Sequence, residues 1–189
     1  MGSEKGILWE VSRGGDLSLL VGAERCRILV LSKVMSLGSP VFAKMLEYNF
    51  IEGVSNRKGP NTHCVTLPDD DAEAVALLCR IFHLDTTGLT TFAPARKTLR
   101  KLVILCDKYE CVALMHPWMA LWYPIDNLTD DQIHLGEILF FAFTLDMPRL
   151  FKFASWKLLL VQEGPYQLLH GYAQDPDDVL PTALLGRSH

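Results

Sequence analysis

The side chains of this chain that could ligate zinc or act as a nucleophile are its five cysteines and six histidines. Two pairs of these side chains that are close in sequence are His63 with Cys64 and Cys106 with Cys111. Zinc needs four nitrogen or sulfur ligands, usually in close pairs, and the sequence has no CxxC and no second pair to match Cys106 and Cys111. A cysteine nucleophile needs an exposed thiolate beside a base, which nothing in the local sequence provides. The pattern favours structural cysteines in the core, and a thiol-dependent hydrolase using Cys106 or Cys111 is the remote alternative.

Three consecutive acidic residues, Asp69–Asp71, could ligate Mg²⁺ or Ca²⁺, but these ions need oxygen ligands that converge on one point. The run lies between a predicted strand, His63–Leu67, and a predicted helix, Ala72–His83. Negative charge is favourable at the beginning of a helix, and Asp70 with Glu73 has the spacing of a capping box. We therefore expect these residues to cap the helix and not to bind a metal.

A basic stretch, Arg96–Lys101, begins a second predicted helix that runs to Glu110. Such a stretch could bind phosphate, but a nucleic-acid site would have aromatic side chains among its charges, and only Phe92 is close. The net charge of -4 and the isoelectric point of about 5.8 also disfavour a dedicated nucleic-acid binder. We expect a solvated helix face.

Several classes of function have sequence signatures that this chain lacks. GxSxG, a phosphate-binding loop, GxGxxG and HExxH are all absent, so we predict that the protein is not an enzyme and uses no cofactor. The longest apolar block, Ile138–Leu145, is far shorter than the roughly 20 residues that a membrane span requires. No secretory signal opens the chain. We expect an intracellular protein, nuclear or cytoplasmic, with no membrane or nucleic-acid partner.

Apolar periodicity predicts an α+β fold in which a small β-sheet is capped by a cluster of helices and followed by additional helices. Residues 7–11, Leu17–Val21 and Arg27–Leu31 are predicted strands, and the last two form a hairpin. Ser32 is predicted to cap the next helix and Gly38 to end it. The remaining predicted elements of this region are the helices Pro40–Glu47, Ala72–His83, Arg96–Glu110 and Val112–Trp122 (kinked near Pro117) and the strand His63–Leu67.

A boundary is predicted at residues 123–127, and additional helices follow it. Thr129 and Gln132 resemble a capping box that opens a helix ending near Leu145. Asp146 is predicted to cap the next helix, which has Pro148 in its first turn. After Pro181 the sequence is compatible with a last short helix and equally with a frayed segment.

Four segments in this order resemble the BTB/POZ domain, especially that of fungal members. They are Asp16–Val21, Ser32–Leu46 (with the sequence SPVF at residues 39–42), Val65–Phe82 and Leu102–Cys111, and Pro117-Trp118 resembles a fungal continuation. The resemblance covers residues 7–123, so it implies a BTB/POZ-like domain there and a helical C-terminal extension over residues 124–189.

The resemblance also implies roles for individual residues. Asp16 and Lys33 match the acid and base of a charged pocket found in many POZ dimers. Val41, Phe42 and Met45 match the core-facing side of the SPVF helix. Two features depart from the family pattern. Ser32 stands where a histidine is usual, and the residues before Asp16 include no amphipathic helix of the kind that many POZ dimers exchange.

BTB/POZ domains bind proteins and catalyse no reaction, so the resemblance implies a protein–protein interaction module. The specific hypothesis is a substrate adaptor for a cullin-type ubiquitin ligase, in which the C-terminal helices lengthen the binding surface. The alternative is a scaffold in transcriptional or chromatin regulation that associates with a second copy of itself.

Overall fold

A computed structural model describes residues 8–53, 63–91, 93–125 and 135–161. Over these ranges the fold is α+β, as predicted, with a four-stranded mixed sheet and seven α-helices, two of which come before the last strand in sequence. The chain divides into two compact units, Met1–Trp118 (unit 1) and Met119–His189 (unit 2). This division lies a few residues before the domain boundary predicted between residues 123 and 124.

The sheet of unit 1 is built around a β-hairpin. Its strands are β1 (Leu8–Glu10), β2 (Leu17–Val21), β3 (Cys26–Val30) and β4 (His63–Leu67), in the order β1-β3-β2-β4. The predicted hairpin of β2 and β3 is confirmed, because the two strands pair antiparallel. The two outer strands pair parallel, β1 with β3 and β4 with β2.

One face of the sheet forms the core of unit 1. Successive side chains in a strand point to opposite faces, so every second residue is buried. The buried residues on this face are Leu17, Leu19, Val21, Cys26, Ile28, Val30, Val65 and Leu67. Arg27, Cys64 and Thr66 alternate with them and are exposed. Strand register therefore decides which residues enter the core.

The helices that begin in unit 1 follow the predicted order with changed ends. They are α1 (Ser32–Gly38), α2 (Pro40–Gly53), α3 (Ala72–Phe82), α4 (Arg96–Lys108), a 3-10 turn (Val112–Met115) and α5 (His116–Trp122). Helix α2 extends beyond the predicted end at Glu47, since the next residue that strongly disfavours helix is Gly53. The predicted kink near Pro117 is instead a change from 3-10 to α-helix at His116.

The beginnings of three helices test the predicted caps. Ser39 caps α2 as the Ser-Pro sequence predicts, because its Oγ accepts a hydrogen bond from the Phe42 N–H at 3.1 Å. The prediction for α3 is wrong by one residue, since Asp71 and not Asp70 accepts from the Ala74 N–H. The prediction for α1 is also wrong. Ser32 is its first helical residue, and the Ser32 N–H donates to Asp16.

Unit 2 contains two apolar helices joined by a short turn, α6 (Leu135–Thr144) and α7 (Pro148–Val161). The rings of Phe143 and Phe151 bring the two helices together with centroids 6.4 Å apart. Asp146 lies in the turn with a positive φ of 51° and does not act as the predicted cap. The predicted capping box at Thr129 and Gln132 and the segment after Pro181 lie outside the described residues.

The end of α3 is a Schellman motif without glycine. The Asp85 N–H donates to the Arg80 carbonyl and the Leu84 N–H to the Ile81 carbonyl, which places Leu84 in the left-handed region at φ 57°. Side chains with a Cβ are disfavoured there by about 1–2 kcal/mol. Helices α4 and α6 end in the same way, with Glu110 and Asp146 at the left-handed position.

Within the parts of the chain that the structure describes, no helix combines the length and the apolar character needed to cross a bilayer.

Candidate interaction surface

The carboxylate of Asp16 receives two hydrogen bonds from Ser32. The Ser32 N–H donates to Oδ1 at 2.7 Å and the Ser32 hydroxyl donates to Oδ2 at 2.6 Å. Asp16 directly precedes β2 and Ser32 begins α1, so this contact joins the sheet to the first helix. Partial burial opposes ionisation of the carboxylate, but the hydrogen bonds from Ser32 outweigh it and hold the pKa of Asp16 below its usual value.

Lys33, the second residue of the charged pocket implied by the family resemblance, points to solvent. Its side chain is exposed, and among residues 8–53 no ion pair joins it to Asp16. Ser32 supplies the hydrogen bonds to the acid that a basic partner would otherwise supply. Asp16 and Lys33 are thus neighbours in the fold, but the Asp16 carboxylate already accepts two hydrogen bonds from Ser32.

The predicted core residues of the SPVF helix differ in burial. Phe42 is completely buried and stacks on Tyr109 with ring centroids 4.5 Å apart. Val41 and Met45 are half-buried, and Leu46, one turn after Phe42, is buried. One α-helical turn separates Phe42 from Leu46, so these two point into the core while Val41 and Met45 flank it.

A buried acid, Asp70, is held by two side chains from the end of α4. The Tyr109 hydroxyl donates to Oδ2, and Lys108 Nζ lies 2.5 Å from Oδ1. Burial, together with the adjacent Asp70 carboxylate, raises the pKa of Tyr109 well above its ordinary value, so the phenol remains a donor. The Tyr109 carbonyl accepts from the Ser39 hydroxyl at 2.6 Å, which connects this cluster to the beginning of α2.

The predicted basic face of α4 is partly used within the fold. Lys101 Nζ lies 2.7 Å from Oδ2 of Asp71, the residue that caps α3. Burial opposes ionisation of Asp71, but the hydrogen bond and charge of Lys101, together with the backbone hydrogen bonds of Ala74 and Glu73, outweigh this effect and lower the pKa of the carboxyl. This lysine therefore connects two helices.

The cysteines do not have the surroundings of an activated nucleophile. A side-chain hydrogen bond with Cys111, and then burial, raise the pKa of the Cys106 thiol, so it stays protonated near neutral pH. Burial alone raises the pKa of Cys79. Cys64 is exposed on β4. Over the described ranges, no three His, Cys, Asp or Glu side chains cluster in a way that could hold a metal ion.

The end of α3 is fixed beside α1 by two contacts. His83 Nε2 accepts a hydrogen bond from the Leu31 N–H at 3.0 Å, and its Nδ1 lies 2.7 Å from the Cys79 carbonyl. These partners require a neutral imidazole with its proton on Nδ1. Gly38 packs on the Phe82 ring, and a Cβ at Gly38 would lie only 2.9 Å from it.

Two exposed leucines flank this junction. Leu84 follows His83 and is 81% exposed, and Leu37 precedes Gly38 and is 76% exposed. They are the two most exposed large apolar side chains of the described residues. Lys33 lies one helical turn before Leu37 and is also exposed. We call Lys33, Leu37 and Leu84 the α1–α3 face.

Leu37 and Leu84 were not predicted from the sequence as residues of an interaction surface. A hydrophobic pattern does not distinguish an exposed leucine from a buried one when the helix is as short as α1. The left-handed position of Leu84 carried no sequence signal either, since helix ends of this kind are usually recognised by a glycine.

Comparison with known proteins adds no family assignment. No protein-family model matches the chain, and no curated protein matches it.

Proposed function

We propose that this protein is a protein–protein interaction module and that the α1–α3 face of unit 1 is its docking surface. The observation that carries the proposal is the pair of exposed leucines, Leu37 and Leu84, at a rigid junction of two helices. Exposed apolar groups on a rigid scaffold are typical of binding surfaces, where a few anchors supply most of the binding energy. Lys33 adds a positive charge, which suits a partner segment with an acidic residue beside its apolar contacts.

The backbone of Leu84 supports the same proposal. A leucine in the left-handed region is less stable there than a glycine, and its exposed side chain gains almost nothing in return within unit 1. Local strain of this kind is concentrated at functional sites. A leucine that contacts a partner would explain why this position carries a large apolar side chain.

We further propose a cullin-type ubiquitin ligase scaffold as the partner. The support for this finer proposal is the resemblance of residues 7–123 to a BTB/POZ domain, together with the helices α6 and α7 that follow. The test is recovery of a cullin from native lysate by the full chain, identified by mass spectrometry. Repeated experiments without any cullin would remove the cullin hypothesis and leave the interaction module itself standing.

Variants of the α1–α3 face separate binding from folding. Leu84→Gly removes the side chain and relieves the backbone, so we expect it to raise the free energy of unfolding by about 1 kcal/mol. The same variant should weaken capture of the partner, as should Leu37→Ser. Urea unfolding gives the first quantity and quantitative pull-down the second.

A matched control is Leu8→Thr, which changes another exposed leucine, on β1, and keeps a residue suited to a strand. It should leave partner capture unchanged. Equal capture by the wild-type chain, Leu37→Ser and Leu84→Gly would exclude the α1–α3 face. A stable dimer in light scattering at tens of micromolar, lost in Leu84→Gly, would instead identify the partner as a second copy.

A further inference from the structure

Helices α3, α4 and α6 end in the same backbone motif, and its geometry brings two side chains together. The residue after the left-handed position donates its N–H to the carbonyl of the residue five positions earlier. These bonds run from Asp85 to Arg80 at 2.9 Å, from Cys111 to Cys106 at 2.8 Å and from Met147 to Ala142 at 2.8 Å. The side chains of the two residues that the bond joins commonly contact each other.

The end of α3 shows this contact directly. Arg80 and Asp85 are the two joined residues, and Nε of Arg80 lies 2.7 Å from Oδ2 of Asp85. At the end of α4 the same two positions are held by Cys106 and Cys111. Because the backbone motif is the same, the side chains of the two cysteines are directed toward one another.

The two thiols meet in the interior of unit 1. Cys106 is 0% and Cys111 is 4% exposed, and a side-chain hydrogen bond joins them. The other three cysteines lie on other elements, Cys26 on β3, Cys64 on β4 and Cys79 on α3. A disulfide needs Cα atoms within about 7 Å and side chains that converge. A contacting pair of thiols joined by a backbone hydrogen bond is suited to this requirement.

We propose that Cys106 and Cys111 form a reversible disulfide site, which closes across the end of α4 when the surrounding thiol pool becomes oxidised. The oxidant is a low-molecular-weight disulfide of the glutathione type. The thiolate of one cysteine attacks it, forms a mixed disulfide and releases one glutathione thiolate. The thiolate of the other cysteine then attacks the protein sulfur of the mixed disulfide. The bond between Cys106 and Cys111 forms, and the second glutathione thiolate leaves.

The exchange is balanced in electrons and protons. Two electrons pass from the two cysteines to oxidised glutathione, and the two thiol protons pass to the two glutathione thiolates. Since both cysteines are buried, the first attack requires a transient opening of the helix end. The exchange is therefore slow, which distinguishes this pair from a catalytic thiol. In a reducing compartment the pair stays as two thiols.

The disulfide would secure the part of α4 that holds the buried acid. Lys108 and Tyr109 lie between the two cysteines, and both contact Asp70. The bond would also hold Glu110 in the left-handed region at φ 53°, a position where helix ends usually have glycine. We therefore expect the oxidised chain to be more stable than the reduced chain.

The test is equilibration of the full chain with mixtures of reduced and oxidised glutathione at neutral pH, once in buffer and once in concentrated urea. The fraction of disulfide gives the effective concentration of one thiol for the other. In urea we expect the millimolar range of a short flexible loop. In the folded protein we expect a value at least about tenfold higher, because the helix end orients the thiols.

Urea unfolding provides an independent check of the same factor. The folding equilibrium constants of the oxidised and reduced chains should differ by the ratio of the two effective concentrations, since the four states form one thermodynamic cycle. Equal stability of the oxidised and reduced chains would contradict the proposal.

Trypsin locates the bond in the wild-type chain, so this assignment does not depend on the folding of any variant. It cuts after Lys108, and a disulfide therefore leaves residues 102–108 joined to residues 109–149 until a reductant is added. Cys106→Ala and Cys111→Ser should each abolish the joined peptides. The matched control is Cys64→Ser, which removes an exposed cysteine and should leave them unchanged.

Two further outcomes would overturn the proposal. One is an effective concentration in the folded protein that is equal to or below the value in urea, because the fold would then not bring the thiols together. The other is oxidation at Cys64 or between other cysteines while Cys106 and Cys111 are both recovered as free thiols.

Discussion

Tyr109 uses its ring and its hydroxyl on different neighbours. The ring stacks on Phe42 inside the core, while the hydroxyl donates to the buried carboxylate of Asp70. A buried carboxylate must be hydrogen-bonded or paired to remain charged, and Lys108 supplies the second partner. Tyr109 thus connects the apolar core to Asp70, the one buried acid among the described residues.

We expect Tyr109→Phe to lower the free energy of unfolding by about 1.5–3 kcal/mol, the usual range for a hydrogen bond to a charged group. The ring stack with Phe42 should survive. Urea unfolding measures the change, and the double variant Asp70→Asn/Tyr109→Phe should cost less than the sum of its parts because the two groups interact. A loss below about 0.5 kcal/mol would show that the bond does not contribute.

Phe42 provides a second test at the level of one side chain. It is completely buried, so Phe42→Ala should lower the free energy of unfolding by about 3–5 kcal/mol, a large part of the total stability of a domain. Met45→Ala, one turn away and half-buried, should cost clearly less in the same urea experiment. Equal losses would mean that burial does not distinguish these two positions.

At the scale of elements, three acids secure the ends of helices and strands. Asp16 holds the beginning of α1, Asp71 caps α3, and Asp85 holds the loop after α3. Arg80 and Thr87 donate to Asp85 and lower its pKa to about 2. The pKa values of Asp16 and Asp71 are also lowered. Each carboxylate therefore favours the folded state when it is charged.

This arrangement predicts a loss of stability in acid. Above about pH 5 all three acids are ionised in both the folded and the unfolded state, so their contribution to stability is complete. As the pH falls from about 5 toward 2, the unfolded chain binds protons before the folded chain does, and stability decreases. Urea midpoints at pH 6, 4 and 3 should fall in that order, less steeply in Asp85→Asn. A constant midpoint would contradict the assignment.

Elements were predictable where local pattern determines them. The hairpin, β4 and the core of each described helix follow from apolar periodicity, and the Ser39 cap follows from Ser-Pro. The parallel pairing of β1 with β3 was not predictable, because strand order depends on tertiary contacts. The cap of α3 was not predictable for the same reason. Asp70 contacts Tyr109 and Lys108 in the tertiary structure, and Asp71 caps the helix instead.

The candidate site was less predictable than the fold. The resemblance implied a charged pocket at Asp16 and Lys33, yet the Asp16 carboxylate accepts hydrogen bonds from Ser32. The exposed leucines of the α1–α3 face were not predicted. Exposure is a property of packing between elements, which a single sequence does not report. Leu84 illustrates this, since its unusual backbone results from the hydrogen bonds that close α3 and not from its own conformational preference.

At the scale of the whole molecule, each unit has its own exposed apolar surface. The α1–α3 face belongs to unit 1, and the exposed side chains of Trp156, Leu159 and Leu160 on α7 belong to unit 2.

The position of β4 next to β2 has a consequence for synthesis of the protein. A nascent chain that has reached the end of α2 holds a hairpin, but the edge of β2 that β4 will occupy is still open. Unpaired strand edges are the part of an incomplete fold most prone to stick to other chains. Ribosome pausing before β4 has emerged from the exit tunnel should therefore increase aggregation or chaperone capture, and pausing after β4 has emerged should not.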